Sequence, residues 1–160
     1  MLDVDKYQSL GNSALGVELT PEECQVLAAR MGVIQLQVGE TLVEENEGRR
    51  TLFVLAQGRL CVCKRVGERE ETVYQMRPGE CAGTRAFIDG TPRRAALRAE
   101  EPVVVLTLEP EDFDELVETH PRLVFKVMRA IFRITHSNLM RMNLESAEMR
   151  NYLLKTGGRY

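Results

Sequence analysis

Between residues 33 and 108 the apolar positions fall in short runs, many alternating with polar ones, and a turn residue follows nearly every run. Runs at 33–37, 41–44, 51–56, 59–64, 71–76, 80–82, 95–99 and 103–108 read as strands, punctuated by Gly39, Gly48, Gly58, Gly67 and Pro78-Gly79. Eight short strands at this spacing predict a closed antiparallel roll, with Leu52, Val54, Leu60 and Val62 inside it on the two-residue alternation. Outside this stretch the period becomes helical. Thr20-Pro21-Glu22-Glu23 is a helix start: Thr20 caps, Pro21 takes the first position, Glu23 completes a capping box, and the helix should end near Gly32. Pro110 opens a short helix, His120-Pro121 breaks it, and a long helix runs on to about Leu154. Residues 1–18 hold Gly11, Asn12, Ser13 and Gly16 without a clean period and read as an N-terminal arm or loosely docked lead-in. The expected class is α+β, mainly β: an eight-stranded jelly-roll-like β-roll with short flanking helices over 19–120, a long C-terminal helix over 121–155, and a tail at 156–160.

The long helix carries two apolar stripes. Phe125, Met128, Phe132, Thr135, Leu139, Met142, Ser146, Met149 and Leu153 follow one another in alternating steps of three and four, a heptad seam. Val124, Val127, Ile131 and Ile134 form a second stripe in the first half only. One stripe can pack on the roll while the other meets a second copy. A homodimer is therefore expected, with Phe125, Met128, Phe132, Thr135, Leu139, Met142 and Met149 as its seam.

Charge and cysteine usage narrow the function classes. The last forty residues hold eight Lys/Arg against two Asp/Glu, while the first 120 hold thirteen against twenty-two. Arg122, Lys126, Arg129 and Arg133 form one helical stripe, read as a solvated face that complements the acidic body rather than as a nucleic-acid contact. A protein partner for this face is the other option. No run approaches the roughly 18 apolar residues of a membrane span, and the start Met1-Leu2-Asp3-Val4-Asp5 lacks a basic n-region, so the cytoplasm is the expected location. Cys24, Cys61, Cys63 and Cys81 lack zinc or redox-motif spacing and read as buried thiols; His120 and His136 lie outside the strand region, so no metal site is expected. No nucleophile and base are paired by pattern, so an enzyme is not expected.

The most informative segment is Gly83-Thr84-Arg85-Ala86-Phe87-Ile88-Asp89-Gly90-Thr91-Pro92-Arg93-Arg94-Ala95-Ala96. A glycine at a strand end precedes a short helical turn whose unpaired N–H groups suit a phosphate. Arg93 adds a planar donor fork, and Pro92 stiffens its approach.

This segment resembles the phosphate-binding cassette of cyclic-nucleotide-binding domains, as in catabolite activator proteins and the regulatory subunits of cyclic-AMP-dependent kinase. The likeness extends from about Leu19 to about Met149, with Gly48, Gly58, Gly79, Gly83, Arg93 and Ala95 in register. It implies a β-roll and a ligand such as cAMP or another phosphate-bearing small molecule, with no further cofactor. The N–H groups of the turn beginning at Thr84 and Arg85 would face the phosphate, Gly83 would allow close backbone approach, and Ala86 would belong to the same site. Arg93 would bind the phosphate oxygens, Arg94 would add charge at the exit, and Ala95 would leave room. The base would rest near Thr135 or Asn138 of the long helix.

Two departures stand out. Thr84 replaces the family's glutamate, which holds the ribose 2′-hydroxyl, and the register puts Glu80 in the preceding turn, unable to replace it. Arg85 replaces an inward apolar residue and must turn outward, pair with an acid or meet an anion itself. Ala96 stands where cGMP-dependent kinases place a threonine on the guanine amino group, so the resemblance does not favour guanine. The implied function is a non-catalytic regulatory module. The alternatives are a DNA-binding regulator of the catabolite-activator type, if the chain is a fragment, since no room remains after the long helix for a helix-turn-helix, or a scaffold that has lost its ligand.

Overall fold

In the computed structural model, which describes residues 4–157 and side chains to residue 155, the turn signals and strand runs resolve into two four-stranded antiparallel sheets. The strands are β1 (Gly32–Leu36), β2 (Thr41–Val43), β3 (Leu52–Gln57), β4 (Leu60–Val66), β5 (Arg69–Met76), β6 (Cys81–Ala82), β7 (Ala96–Ala99) and β8 (Val103–Leu108). Their orders are β1-β8-β3-β6 and β2-β7-β4-β5. Around them lie α1 (Lys6–Gly11), α2 (Pro21–Ala29), α3 (Thr84–Asp89), α4 (Pro110–Asp114), α5 (Leu116–Thr119) and α6 (Pro121–Gly157). Each expected strand is present to within about two residues. The α+β roll with its long last helix is the observed architecture.

The two central strands of the first sheet, β3 and β8, are covered on both faces. Phe53, Leu55, Val103 and Val105 point into the space between the sheets with Leu36, Leu60, Met76 and Leu97. Leu52, Val54, Leu106 and Leu108 point the other way and meet Leu27, Phe113, Leu116, Leu123, Val127 and Ile131 from the helices. Leu52 and Val54 thus lie under the helices, not inside the roll. A strand buried on both faces loses the polar half of its alternation, so its inward face cannot be chosen from the pattern.

Residues 4–18 are not a loose arm. Asp5 caps α1 by accepting from the Tyr7 and Gln8 N–H groups, and Leu10 and Leu15 are fully buried in the helix-side core. Two leucine anchors among small and polar residues are too few to show a period. The capping box on α2 is present: Thr20 Oγ1 accepts from the Glu23 N–H at 3.2 Å, and Glu23 Oε1 accepts from the Thr20 N–H at 2.9 Å. The helix stops at Ala29, and Gly32 already belongs to β1, where a Cβ would come within 2.7 Å of Thr107 Oγ1. All four cysteines are free and buried; burial pushes the Cys81 thiol up to about 12, so it stays protonated.

On α6 the stripe Val124, Val127, Ile131 and Ile134 packs on the roll, whereas Phe125, Met128, Phe132, Leu139, Met142 and Met149 are exposed. The helix extends to Gly157, two residues into the expected tail; 158–160 lie outside the described residues. No helix among the described residues is long and apolar enough to cross a membrane. Three of the four stripe cations meet acids of the same chain. Lys126 Nζ is 2.7 Å from Glu23 Oε1, Arg133 is 2.7 Å from Glu18, and Arg129 pairs with that same carboxylate. Arg129 and Arg133 hold the Glu18 carboxyl below its usual range.

The Lys126–Glu23 pair ties α6 to α2 with both side chains mostly covered. Desolvation pushes the Glu23 carboxyl up, but hydrogen bonds from Lys126 and the Thr20 N–H outweigh it and leave its pKa lowered. Glu23→Gln keeps a capping acceptor and removes only the charge. It should cost about 1 kcal/mol in urea unfolding at neutral pH. A lowered folded-state pKa means that this stabilisation is present above the unfolded carboxylate range and is lost as pH falls through the folded value. The gap between the two proteins should therefore close on acidification; a gap unchanged down to pH 3 would contradict the assignment.

Candidate functional site

The cavity of interest, about 250 Å³, lies between the second sheet, α3 and α6. Gly83, Thr84, Arg85, Ala86, Arg93, Arg94, Ala95 and Asn138 all line it. Thr135 does not, but its hydroxyl donates to Thr84 Oγ1 at 2.8 Å, joining α6 to the first turn of α3. Thr135 is thereby turned toward the roll, unlike the exposed seam residues with which its spacing groups it.

Gly83 starts α3 with φ +87°, a left-handed conformation that a side chain strains. The first intrahelical bond runs from the Phe87 N–H to the Gly83 carbonyl, so the N–H groups of Thr84, Arg85 and Ala86 have no intrahelical acceptor. At the other end of α3, Arg50 donates to the Ala86, Phe87 and Ile88 carbonyls at 3.2–3.4 Å. Nothing in the spacing of the sequence singles out Arg50. It satisfies the carbonyls that a six-residue helix leaves open and sets a cation at its negative end.

Arg93 is 6% exposed. Its Nε donates to the Arg49 carbonyl at 2.9 Å, a terminal nitrogen donates to the Thr51 carbonyl, and the guanidinium lies 5.0 Å from the centre of the Phe53 ring. A Cβ on Gly83 would fall 1.9 Å from Arg93 Nη1, so Gly83 and Arg93 must be read as one unit. Among the described residues no carboxylate forms an ion pair with Arg93; burial and the neighbouring Arg49 charge pull its pKa below the ordinary value. Arg85 is exposed, with its charge acting on the Asp89 carboxyl, and Arg94 is also exposed.

Three further residues enter the wall from separate segments. Glu80 precedes a β6 of only two residues and lines the same cavity as Thr84. Its Oε2 accepts from the Tyr74 hydroxyl at 2.6 Å and its Oε1 from the Arg77 N–H at 2.8 Å. The bond to Glu80 pushes the Tyr74 phenol above its usual range. Arg141 of α6 lies over the Tyr74 ring, 3.8 Å from its centre. Ala96 points elsewhere, 1% exposed in a small cluster with Cys61 and Cys63, and is not part of the wall.

Replacing Gly83 by alanine combines a strained φ with displacement of Arg93. The variant should lose at least ~1 kcal/mol of stability in chemical denaturation. A neutral result would mean that Arg93 can leave its seat without consequence.

The comparisons with known proteins agree with this geometry. Residues 33–120, more than half of the chain, match the model of the cyclic nucleotide-binding domain. A cGMP-dependent protein kinase from Eimeria tenella is 29% identical over 108 residues, and the acetyltransferase Pat from Mycolicibacterium smegmatis is 25% identical over 97 residues. These matches cover 68% and 61% of this chain but only 10% and 29% of those much longer proteins. Among solved structures, a cyclic nucleotide-binding domain from Methylobacillus flagellatus superposes with a TM-score of 0.79 at 19% identity, over 84% of this chain and 79% of that one. The catabolite activator protein of Thermus thermophilus superposes with a TM-score of 0.71 at 23% identity, over 84% and 63%. Roll, cassette and family model converge, and the chain belongs to the cyclic nucleotide-binding domain family.

Proposed function

We propose that this chain is a non-catalytic regulatory module that binds a cyclic nucleotide in the α3 cavity and signals through α6 as a homodimer. The observation that carries the reading is Arg93: a buried guanidinium with main-chain partners and no ion-paired acid, beside the open N–H groups of α3. An anionic phosphate is the group that relieves that imbalance, through charge-assisted bonds to both donors. Thr84 is buried and bonded to Thr135, so the position that clamps the ribose in related domains is here engaged with α6.

Two contacts carry a change at α3 outward. Phe87 packs on Phe113 of α4, ring centres 5.5 Å apart, and Thr84 bonds Thr135 of α6. A ligand that prefers one placement of α3 shifts the populations of both helices by its differential affinity. The exposed Phe125, Met128, Phe132, Leu139, Met142 and Met149 supply the seam through which a second copy would sense that shift.

Titration calorimetry tests the pocket. Arg93→Ala should abolish cyclic-nucleotide binding. Thr84→Glu, which restores an acidic acceptor, should tighten cAMP by roughly ten-fold, in line with the ~1.5–3 kcal/mol of a hydrogen bond to a charged group. Binding that survives the loss of Arg93 would place the ligand elsewhere.

Sedimentation tests the seam. The wild type should run as a dimer at micromolar concentration, and Leu139→Glu with Met142→Glu should run as a folded monomer. A monomeric wild type would remove the dimer from this account.

A further inference from the structure

One half-buried guanidinium of the cavity wall has no hydrogen-bond acceptor among the described residues. Arg141 is half-buried and stacked on Tyr74, and among the described residues it takes part in no hydrogen bond or ion pair. Glu80, the single acid of the wall, is already engaged by the Tyr74 hydroxyl and the Arg77 N–H. Stacking on a ring fixes the plane of a guanidinium and leaves its in-plane N–H fork for a pair of acceptors. Donors partly withdrawn from water without an acceptor are unfavourable, so this side chain is poised for a ligand that supplies two acceptors side by side.

Its place on α6 says which end of the ligand it meets. Thr135, which the resemblance sets beside the base, instead bonds Thr84, the position that clamps the ribose in related domains, and so marks the sugar–phosphate end. Arg141 follows six residues later, about 9 Å along the helix axis, with the cavity-lining Asn138 midway. That separation is comparable with the span of a nucleotide from its phosphate to the far edge of its base. Guanine presents two adjacent acceptors there, O6 and N7, which an arginine fork binds as a pair; adenine sets an amino donor beside N7. The residue that argued against guanine in the sequence, Ala96, does not reach the cavity, so that objection has no contact to rest on.

We propose that Arg141 is a specificity-determining residue of this cavity and that the base it selects is guanine. This rests on the reading above, that the cavity takes a cyclic nucleotide. Arg141 holds the O6/N7 edge while Arg93 and the α3 turn hold the phosphate.

Calorimetric titration of the full chain with cGMP and with cAMP tests this. The wild type should bind cGMP about ten-fold or more tighter than cAMP, the range of one bidentate base contact. Arg141→Ala should weaken cGMP and bring the two within about two-fold. Arg141→Gln, whose amide matches adenine's N6 and N7, should move the preference toward cAMP. Thermal melts establish that each variant is folded, and the wild-type comparison decides even without them. Equal affinities in the wild type, a cAMP preference, or a cGMP preference that survives Arg141→Ala overturns the assignment of base and residue alone. A folded wild type that binds neither nucleotide overturns the cyclic-nucleotide reading, and this proposal with it.

Discussion

A guanidinium withdrawn from water has to direct five donors at acceptors, and at Arg93 the acceptors are the main-chain carbonyls of Arg49 and Thr51. Phe53 lies under its plane and Gly83 is pressed against one edge. The segment before β3, the strand itself and the start of α3 are thereby fixed relative to one another by one side chain. The main chain of Arg93 adds to this, donating to the Glu47 carbonyl at 3.0 Å and accepting from the Asn46 N–H at 2.7 Å. Asn46, which has φ +70°, is the one non-glycine residue among those described with a positive φ. Thr51 extends the network, its hydroxyl donating to the Glu109 carboxylate at the cap of α4. The cavity wall and the first helical element after the roll thus share one polar network beneath the apolar core.

The placement of α6 follows from a different kind of force. Val127 and Ile131 are essentially covered by the helix-side core, and Val124 and Ile134 pack at its margin. This contact ends near residue 134. Beyond it, Thr135, Asn138 and Arg141 keep the helix in touch with the cavity at successive turns. The glutamates of the body pair with the basic residues of the same helix, which is why a strongly basic last quarter coexists with an acidic remainder. The helix is held by apolar packing at its base, by ion pairs along one flank, and by polar contacts over the site.

The strands were legible in the sequence because their ends are set by local chemistry. Gly39, Gly58, Gly67 and Gly79 all adopt positive φ, which few other residues tolerate. The facing of β3 was not legible, because Leu52–Leu55 are buried on both sides and the alternation carries no contrast. Gly83, the α3 turn and Arg93 could be grouped from the sequence because they are near neighbours in it, and they line one cavity. Tyr74, Glu80 and Arg141 could not, because each belongs to a different segment and only the two-residue β6 and the course of α6 bring them together. Arg50 was missed for the same reason: its partners are 36 to 38 residues away.

Past Arg141, α6 carries fourteen exposed residues, 142–155. Isolated helices of that length are marginal in water. The order of this segment and its coverage by another surface are therefore a single equilibrium. If a second copy covers it, as proposed, that contact contributes the free energy that keeps it helical, and the fraction folded becomes a function of concentration. On the proposed reading, a small change at Arg141 would be read far along the chain as gain or loss of helix rather than as movement of a rigid rod.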